Sequence, residues 1–279
     1  MSEDSSWMMR PPKPPVLGDE YFRKPSPARM WNYLQGGDDN YPLDRTAGDM
    51  MASAFPDIFY LAKQTRKFLM RAAHYVATEG GVRQFMDIGC GLPGPRDLRD
   101  LHEVVQEIHP DARVVYVDSD PVVLAHAQAW LVSSTPEGVC TYLEADVHDP
   151  GTILAEAAET LDFDRPTAIC LLGILGHVAE FEEACAIVDR LVAAVPSGSY
   201  LIVADGFDDG GPLHQGVADR NTTGIDPYHL RRVEQFRRYL RGLEIIEPDI
   251  GPVTSWRPDP AEADGLRPAL QYGGVARKP

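Results

Sequence analysis

The residues best placed to do chemistry are Asp87, Gly89 and Gly91, within Phe85-Met86-Asp87-Ile88-Gly89-Cys90-Gly91-Leu92-Pro93, and Asp118, which closes the apolar run Val114-Val115-Tyr116-Val117. Two glycines separated by one residue let a backbone approach a ligand closely, because neither carries a Cβ. An acid at the tip of an apolar strand can accept from both hydroxyls of a ribose. Strand, glycine turn, helix and a second strand ending on an acid make the plan of a nucleotide-binding βαβ unit.

In an open α/β sheet, ligands lie beyond the carboxyl ends of the strands. The residues after each expected strand are therefore the candidates: Asp87, Gly89 and Gly91, then Asp118 and Asp120, then Asp146-Val147, then Gly173 to His177, then Asp205. Any one such Asp could serve only as a turn or N-cap residue. Their meeting at the rim of one crevice favours a binding site. The spacing Gly89, Gly91, Gly94 fits a dinucleotide fingerprint, but Pro93 and Pro95 flank the last glycine and lack the N–H donors a pyrophosphate uses. Asp87 would repel a pyrophosphate and suits an ammonium group. This logic points to S-adenosylmethionine, which has a ribose, an adenine, a sulfonium and an amino-acid tail but no phosphate.

The elements that must position these residues follow from periodicity. Strands are expected at Gln84–Ile88, Arg113–Val117, Thr141–Glu144, Thr167–Leu172, Tyr200–Ala204, Leu243–Pro248 and Leu270–Ala276. Helical patterns fall near Asp100–His109, Pro121–Leu131, Pro150–Thr160, Glu180–Ala194 and Tyr228–Arg241. The crossovers through the fifth strand each hold a helix, which predicts a mostly parallel seven-stranded sheet. The last two strands, joined by a loop rich in Pro, Asp and Gly, suit an antiparallel hairpin at the sheet edge. Ahead of the first strand, Ser26-Pro27 opens a helix that Gly36-Gly37 ends, and apolar residues recur at helical spacing from Asp44 to Ala54 and from Asp57 to Thr78. The expected organisation is a flexible proline-rich arm at residues 1–24, a helical cap over the crevice at 25–82, and a ligand-binding core at 83–279.

The 279 residues suffice for one such domain with additions. A net charge of −16 argues against nucleic acid as partner, since that binding leans on Lys and Arg neutralising phosphates. The cluster Arg231, Arg232, Arg237, Arg238 and Arg241 reads as a solvated helix face. Cys90, Cys140, Cys170 and Cys185 show no metal-ligand spacing, so no metal is expected. No apolar run approaches the ~20 residues of a membrane helix and no leader is evident, so a cytoplasmic protein without a membrane partner is expected. The oligomeric state is not legible.

Asp87-Ile88-Gly89-Cys90-Gly91, Val115-Tyr116-Val117-Asp118 and Glu144-Ala145-Asp146-Val147 resemble the first three motifs of class I S-adenosylmethionine-dependent methyltransferases. Pro25-Ser26-Pro27-Ala28-Arg29, Tyr33-Leu34, Gly36-Gly37, Asp39-Asn40-Tyr41 and Asp44-Arg45 further resemble a bacterial family within that class, whose substrates are mostly unassigned. The resemblance runs from about Pro25 to about Arg257. It implies a Rossmann-like class I methyltransferase fold with S-adenosylmethionine as cofactor. Gly89 and Gly91 would pass under its methionine part, with Asp87 near the ammonium. Asp118, with Ser119 beside it, would hold the ribose, while Asp146 and the Val147 amide would hold the adenine. Gly173 to His177 would line the side where the methyl group leaves.

Leu92-Pro93 departs from the third glycine that many class members carry. A base is needed only if the acceptor must lose a proton, and His177 is the candidate, against a packing role for the same imidazole. Arg29, Tyr33 and Arg45 are candidates for holding a carboxylate of cofactor or acceptor, with surface ion pairs the alternative. Trp31, Tyr41 and His214 could shape an acceptor pocket. The expected activity is methylation of a small-molecule acceptor. Rival readings are a non-catalytic S-adenosylmethionine sensor or scaffold, and a NAD-dependent oxidoreductase in which Asp118 would select NAD.

Overall fold

A computed structural model describes residues 22–95, 97–261 and 263–279. The expected arm lies outside them except for Phe22, Arg23 and Lys24. Three helices come first: α1 (Pro27–Gln35), α2 (Pro42–Ala54) and α3 (Ile58–Thr78). The alternating part is β1 (Gln84–Ile88), α4 (Leu101–Ile108), β2 (Arg113–Asp118), α5 (Pro121–Trp130), β3 (Val139–Glu144), α6 (Pro150–Ala157), β4 (Ala168–Leu172), α7 (Phe181–Ala193) and β5 (Tyr200–Gly206). Then follow α8 (Pro212–Asn221), α9 (Val233–Tyr239), β6 (Glu244–Ile245), β7 (Gly251–Pro252) and β8 (Gln271–Arg277).

Local chemistry sets the helix starts. Helices α1, α2, α5, α6 and α8 begin on proline, whose fixed φ suits the first helical turn and whose missing N–H is not needed there. Ser26, Asp120 and Asp149 precede α1, α5 and α6, and each accepts a backbone N–H of the first turn on its side chain.

The sheet order is β3-β2-β1-β4-β5-β8-β6, with the short β7 also pairing β8. Strands β1 to β5 run parallel, and β8 is antiparallel to β5, β6 and β7. Successive strand residues point to opposite faces. Phe85, Val114, Tyr116, Cys170 and Ile202 pack into one core with α3, α4 and α5. Met86, Ile88, Val115, Val117, Ile169, Leu171, Leu201 and Val203 pack into another with α6, α7 and α9. Burial on both faces explains why these strands read as apolar runs. Each fully buried large aliphatic or aromatic side chain contributes about 1.5–3 kcal/mol.

Two local expectations are corrected. The strand expected over Leu243–Pro248 holds only Glu244–Ile245, because Pro248 brings no ladder donor; β7 is an added strand beyond it. The helix expected over Tyr228–Arg241 is confined to α9, and α8 stands where no helix was expected. Of the helices before β1, α3 lies against β4, β5 and β8, whereas α1 packs on α2 and α3, and α2 packs on α8. Helices α1, α3 and α8 meet the carboxyl ends of β1, β2, β4 and β5 at one rim.

Candidate active site

A cavity of about 940 Å³ opens at that rim, walled by the ends of β1, β2, β4 and β5, by α1, and by the segment from α8 to Leu230. Asp87, Gly89, Gly91, Asp118, Ser119, Asp146, Val147, Gly173, His177 and Arg29 all line it. Tyr33 and Arg45 do not. The Tyr33 hydroxyl donates to Asp49 Oδ1 (2.6 Å), and Arg45 is exposed, donating to Asn40 Oδ1 (2.9 Å). Of the aromatic candidates, Trp31 lines the wall, while Tyr41 is exposed and His214 pairs with Asp208 outside it.

At the β1–β2 end, Gly89 (φ 71°) and Gly91 (φ 64°) occupy the left-handed region. Their positive φ would cost an L-residue roughly 1–2 kcal/mol. The Gly89 and Cys90 amides donate to Val117 O (2.8 and 3.1 Å), fixing the turn to β2. Asp118 Oδ2 accepts from the Gly91 amide (2.9 Å) and Oδ1 from the Asp120 amide (3.0 Å). Burial pushes the Asp118 carboxyl up to about 6, against the pull of these amides. Asp87 is pushed up to about 7, mainly by burial; the Arg66 guanidinium opposes this and Asp118 adds to it. Arg66, on α3, lines the same stretch and donates to Asp100 and to Arg99 O (3.1 Å). Asp146 is exposed. Burial acts to raise its carboxyl, but the His148 amide and ring outweigh this and hold it below the usual range.

Helix α1 closes this end from above. Ser26 Oγ donates to Asp120 Oδ2 (3.0 Å), and Arg29, buried, pairs through Nε with Asp44 Oδ2 (2.7 Å). The Arg29 charge is therefore matched inside the protein, although the side chain reaches the wall.

At the β4–β5 end, Gly173 leads into a short 3₁₀ turn, Leu175–His177. His177 Nδ1 meets Pro227 O at 3.1 Å; a carbonyl only accepts, so Nδ1 carries the proton and Nε2 keeps its lone pair. Burial and then the Arg220 guanidinium push His177 down to about 4, so the ring is neutral at pH 7. Tyr228 packs edge-on to His177 (5.2 Å), donates its hydroxyl to Asp205 and accepts from the Gly206 amide (3.2 Å). A Cβ on Gly176 would strike the Tyr228 ring, so the absence of side chains there makes room for it. Asn221 fixes Tyr228 through both its backbone groups (3.0 and 3.1 Å).

Sequence reasoning missed Arg66, Arg220 and Tyr228. The one signal for Tyr228 was the pair Gly176 and Gly206, small residues at two strand ends. The basic cluster divides: Arg237, Arg238 and Arg241 are exposed and paired with Asp249, Glu182 and Asp189, as a solvated face should be. Arg231, by contrast, is buried and donates to Val178 O. Among the described residues, no group of His, Cys, Asp and Glu could hold a metal ion, and no helix is long and apolar enough to cross a membrane.

A parallel β3-β2-β1-β4-β5 sheet extended by an antiparallel strand, with its crevice at the carboxyl ends, is the class I methyltransferase fold. The chain belongs to the S-adenosyl methyltransferase family, whose sequence profile matches residues 21–279. It is similar to a DUF574 family protein of Streptomyces avermitilis MA-4680 (40% identity, 92% of this chain and 98% of the other, TM-score 0.86). It is also similar to a protein of Thermobifida fusca YX described as a candidate methyltransferase (36% identity, 92% and 96% coverage, TM-score 0.82). The plantazolicin methyltransferase BpumL, solved with SAH, shares the fold alone (11% identity, 90% and 95% coverage, TM-score 0.51). No curated protein matches the chain.

Proposed function

We propose that this chain is an S-adenosylmethionine-dependent methyltransferase acting on a small-molecule acceptor. The observation that carries the reading is one continuous cavity with an acid-and-glycine site at one end and a neutral histidine at the other. Its volume lies near the top of the range for ligand pockets, about 300–1,000 Å³, which suits two ligands side by side.

The residues fit the cofactor. Gly91 has open space where a Cβ would stand, so a ligand can lie against its backbone. Asp118 would hold the ribose, with Ser119 beside it, and Asp146 with the Val147 amide would hold the adenine. Asp87 would face the ammonium. Arg66, close enough to act on Asp87, would take the carboxylate. A dinucleotide fits less well. The Gly94 amide is spent on Asp100 Oδ1 (3.2 Å), and α4 starts only at Leu101 with its first turn capped by Asp100, leaving no free helix N-terminus for a pyrophosphate.

Bound S-adenosylmethionine supplies a methyl group activated by its sulfonium. The protein's part is to align the acceptor with that group and keep water out, an effect of proximity and orientation. His177, neutral with Nε2 unprotonated, can take the proton an acceptor loses. The net charge of −16 supports a small acceptor over a nucleic acid.

Calorimetric titration with SAH and with NAD tests the reading. SAH is expected to bind and NAD is not; NAD binding without SAH binding would overturn it. Transfer of labelled methyl from S-adenosylmethionine to an acceptor then separates an enzyme from a sensor.

A further inference from the structure

Several cationic side chains reach the cavity, and they differ in how their charge is met. Lys24 is exposed, so water solvates it. Arg29 and Arg66 pair with Asp44 and Asp100. Arg220, on α8, is only 2% exposed, yet no carboxylate of the described residues forms an ion pair with it. Its protein partners are neutral: Nη1 donates to Asn221 Oδ1 (2.7 Å) and to Asp226 O (2.6 Å). Nε and Nη2 make no hydrogen bond to a described residue. Those two N–H groups form the side edge of the guanidinium, the fork that matches the two oxygens of a carboxylate. The exposed Asp226 carboxylate acts on Arg220 without forming an ion pair; burying a cation with so little counter-charge is costly, and a bound anion offsets that cost.

The surroundings narrow the anion. Arg220 lies over the Tyr228 ring (5.9 Å), which packs edge-on to His177 (5.2 Å), and all three line the same end of the cavity. Sheet order puts this end, at β4 and β5, on the opposite side of β1 from Asp118 and Asp146 on β2 and after β3. Asp226, whose charge acts on Arg220, and Asp205, which holds the Tyr228 hydroxyl, oppose a second negative charge. One guanidinium edge and neighbouring acids suit a single negative charge rather than a phosphate dianion.

We propose that the β4–β5 end of the cavity is a carboxylate-binding site, in which Arg220 offers Nε and Nη2 to an acidic group of the methyl acceptor. Calling the ligand an acceptor rests on the methyltransferase reading; the anion site itself does not.

The test titrates benzoate, benzamide and inorganic phosphate into wild type, Arg220→Met and Arg220→Lys, with and without SAH. Wild type is expected to bind benzoate roughly tenfold to a hundredfold tighter than benzamide. Arg220→Met should erase that preference. Arg220→Lys, which keeps the charge and loses the fork, should fall between. Unchanged SAH affinity certifies that each variant is folded, and Arg220→Lys carries the test if Arg220→Met is not. Equal binding of benzoate and benzamide by wild type, a preference that survives Arg220→Met, or phosphate binding as well as benzoate would each overturn the proposal. If SAH fails to bind wild type while the Arg220-dependent preference holds, the methyltransferase reading falls and the carboxylate site stands.

Discussion

At the β1–β2 end of the cavity Asp118 accepts from the backbone amides of Gly91 and Asp120, while Arg29 and Arg66 are matched by acids of their own. At the β4–β5 end a neutral histidine and a cationic arginine donate to carbonyls, His177 to Pro227 O and Arg220 to Asp226 O. The first end is ready for a ligand rich in donors, such as ribose hydroxyls and an ammonium. The second is ready for acceptors and for an acidic group. The difference teaches that the two halves of one cavity can be recognised by opposite chemistry without a wall between them.

The largest break in this contrast should come from Asp118→Ala. It removes the proposed ribose acceptor and the brace on the Gly91 amide. Calorimetry should show SAH binding weakened by about 2–4 kcal/mol, with the benzoate preference at the far end kept. Equal losses at both ends would mean that the ends are not separate.

Gly89→Ala should cost less, and in a way that touches both ends. A Cβ there would lie 2.7 Å from the side-chain atoms of Ile174, the residue after Gly173, and the φ of 71° adds strain. A stability loss of about 2–3 kcal/mol by denaturant unfolding is expected. Gly91→Ala, with open space at the same point, should show only the strain, about 1–2 kcal/mol.

Smaller effects should appear in the pH dependence, with opposite signs for the buried acids and for His177. The folded state holds the Asp87 and Asp118 carboxyls near 7 and 6, above their ordinary 3.8. Between about pH 4 and 7 the native state therefore binds more protons than the unfolded chain, and this end loses stability as pH rises. His177, pushed down from 6.5 to about 4, binds protons more readily when unfolded, so it adds stability as pH rises through that window, opposing Asp205 nearby, whose carboxyl is pushed up to about 6. Thermal melts at pH 5 and 7.5 should show the difference, with Asp87→Asn reducing the first trend, Asp118 supplying the remainder, and His177→Gln removing the second. SAH affinity should improve from pH 6 to 8, as Asp87 ionises to meet the ammonium.

Tyr33→Phe and Arg45→Ala should do least. Both residues lie outside the cavity, and shifts in SAH affinity within about 0.5 kcal/mol are expected.

The same two ends differ in how well they could be read from sequence. Asp87, Gly89, Gly91 and Asp118 follow directly on apolar runs, so strand position alone brings them to the rim. Arg220 and Tyr228 arrive from a helix and a loop well after β5. Helix α8 was not legible because Gly216 and polar residues separate its buried positions, Leu213 and Val217. Arg220 is buried against Asp226 and Tyr228 of the segment that folds back after α8, which no local pattern encodes. Tyr33 misled for a related reason. It lies two positions from the cavity-lining Trp31, and on a helix that spacing turns it to another face.

Strand β8 completes the sheet from between β5 and β6, and β6 pairs with nothing else in the ladder. During synthesis, β5 leaves the ribosome long before β8, with residues 207–270 still to be made in between. Until then β5 presents an open edge whose every residue is buried in the finished protein. Such an edge invites pairing with another chain. The order of translation therefore makes the arrival of Gln271–Arg277 the step that ends the chain's exposure to aggregation. A truncation there would undo three strand pairings at once, leaving β6 and β7 outside the ladder and β5 paired only with β4.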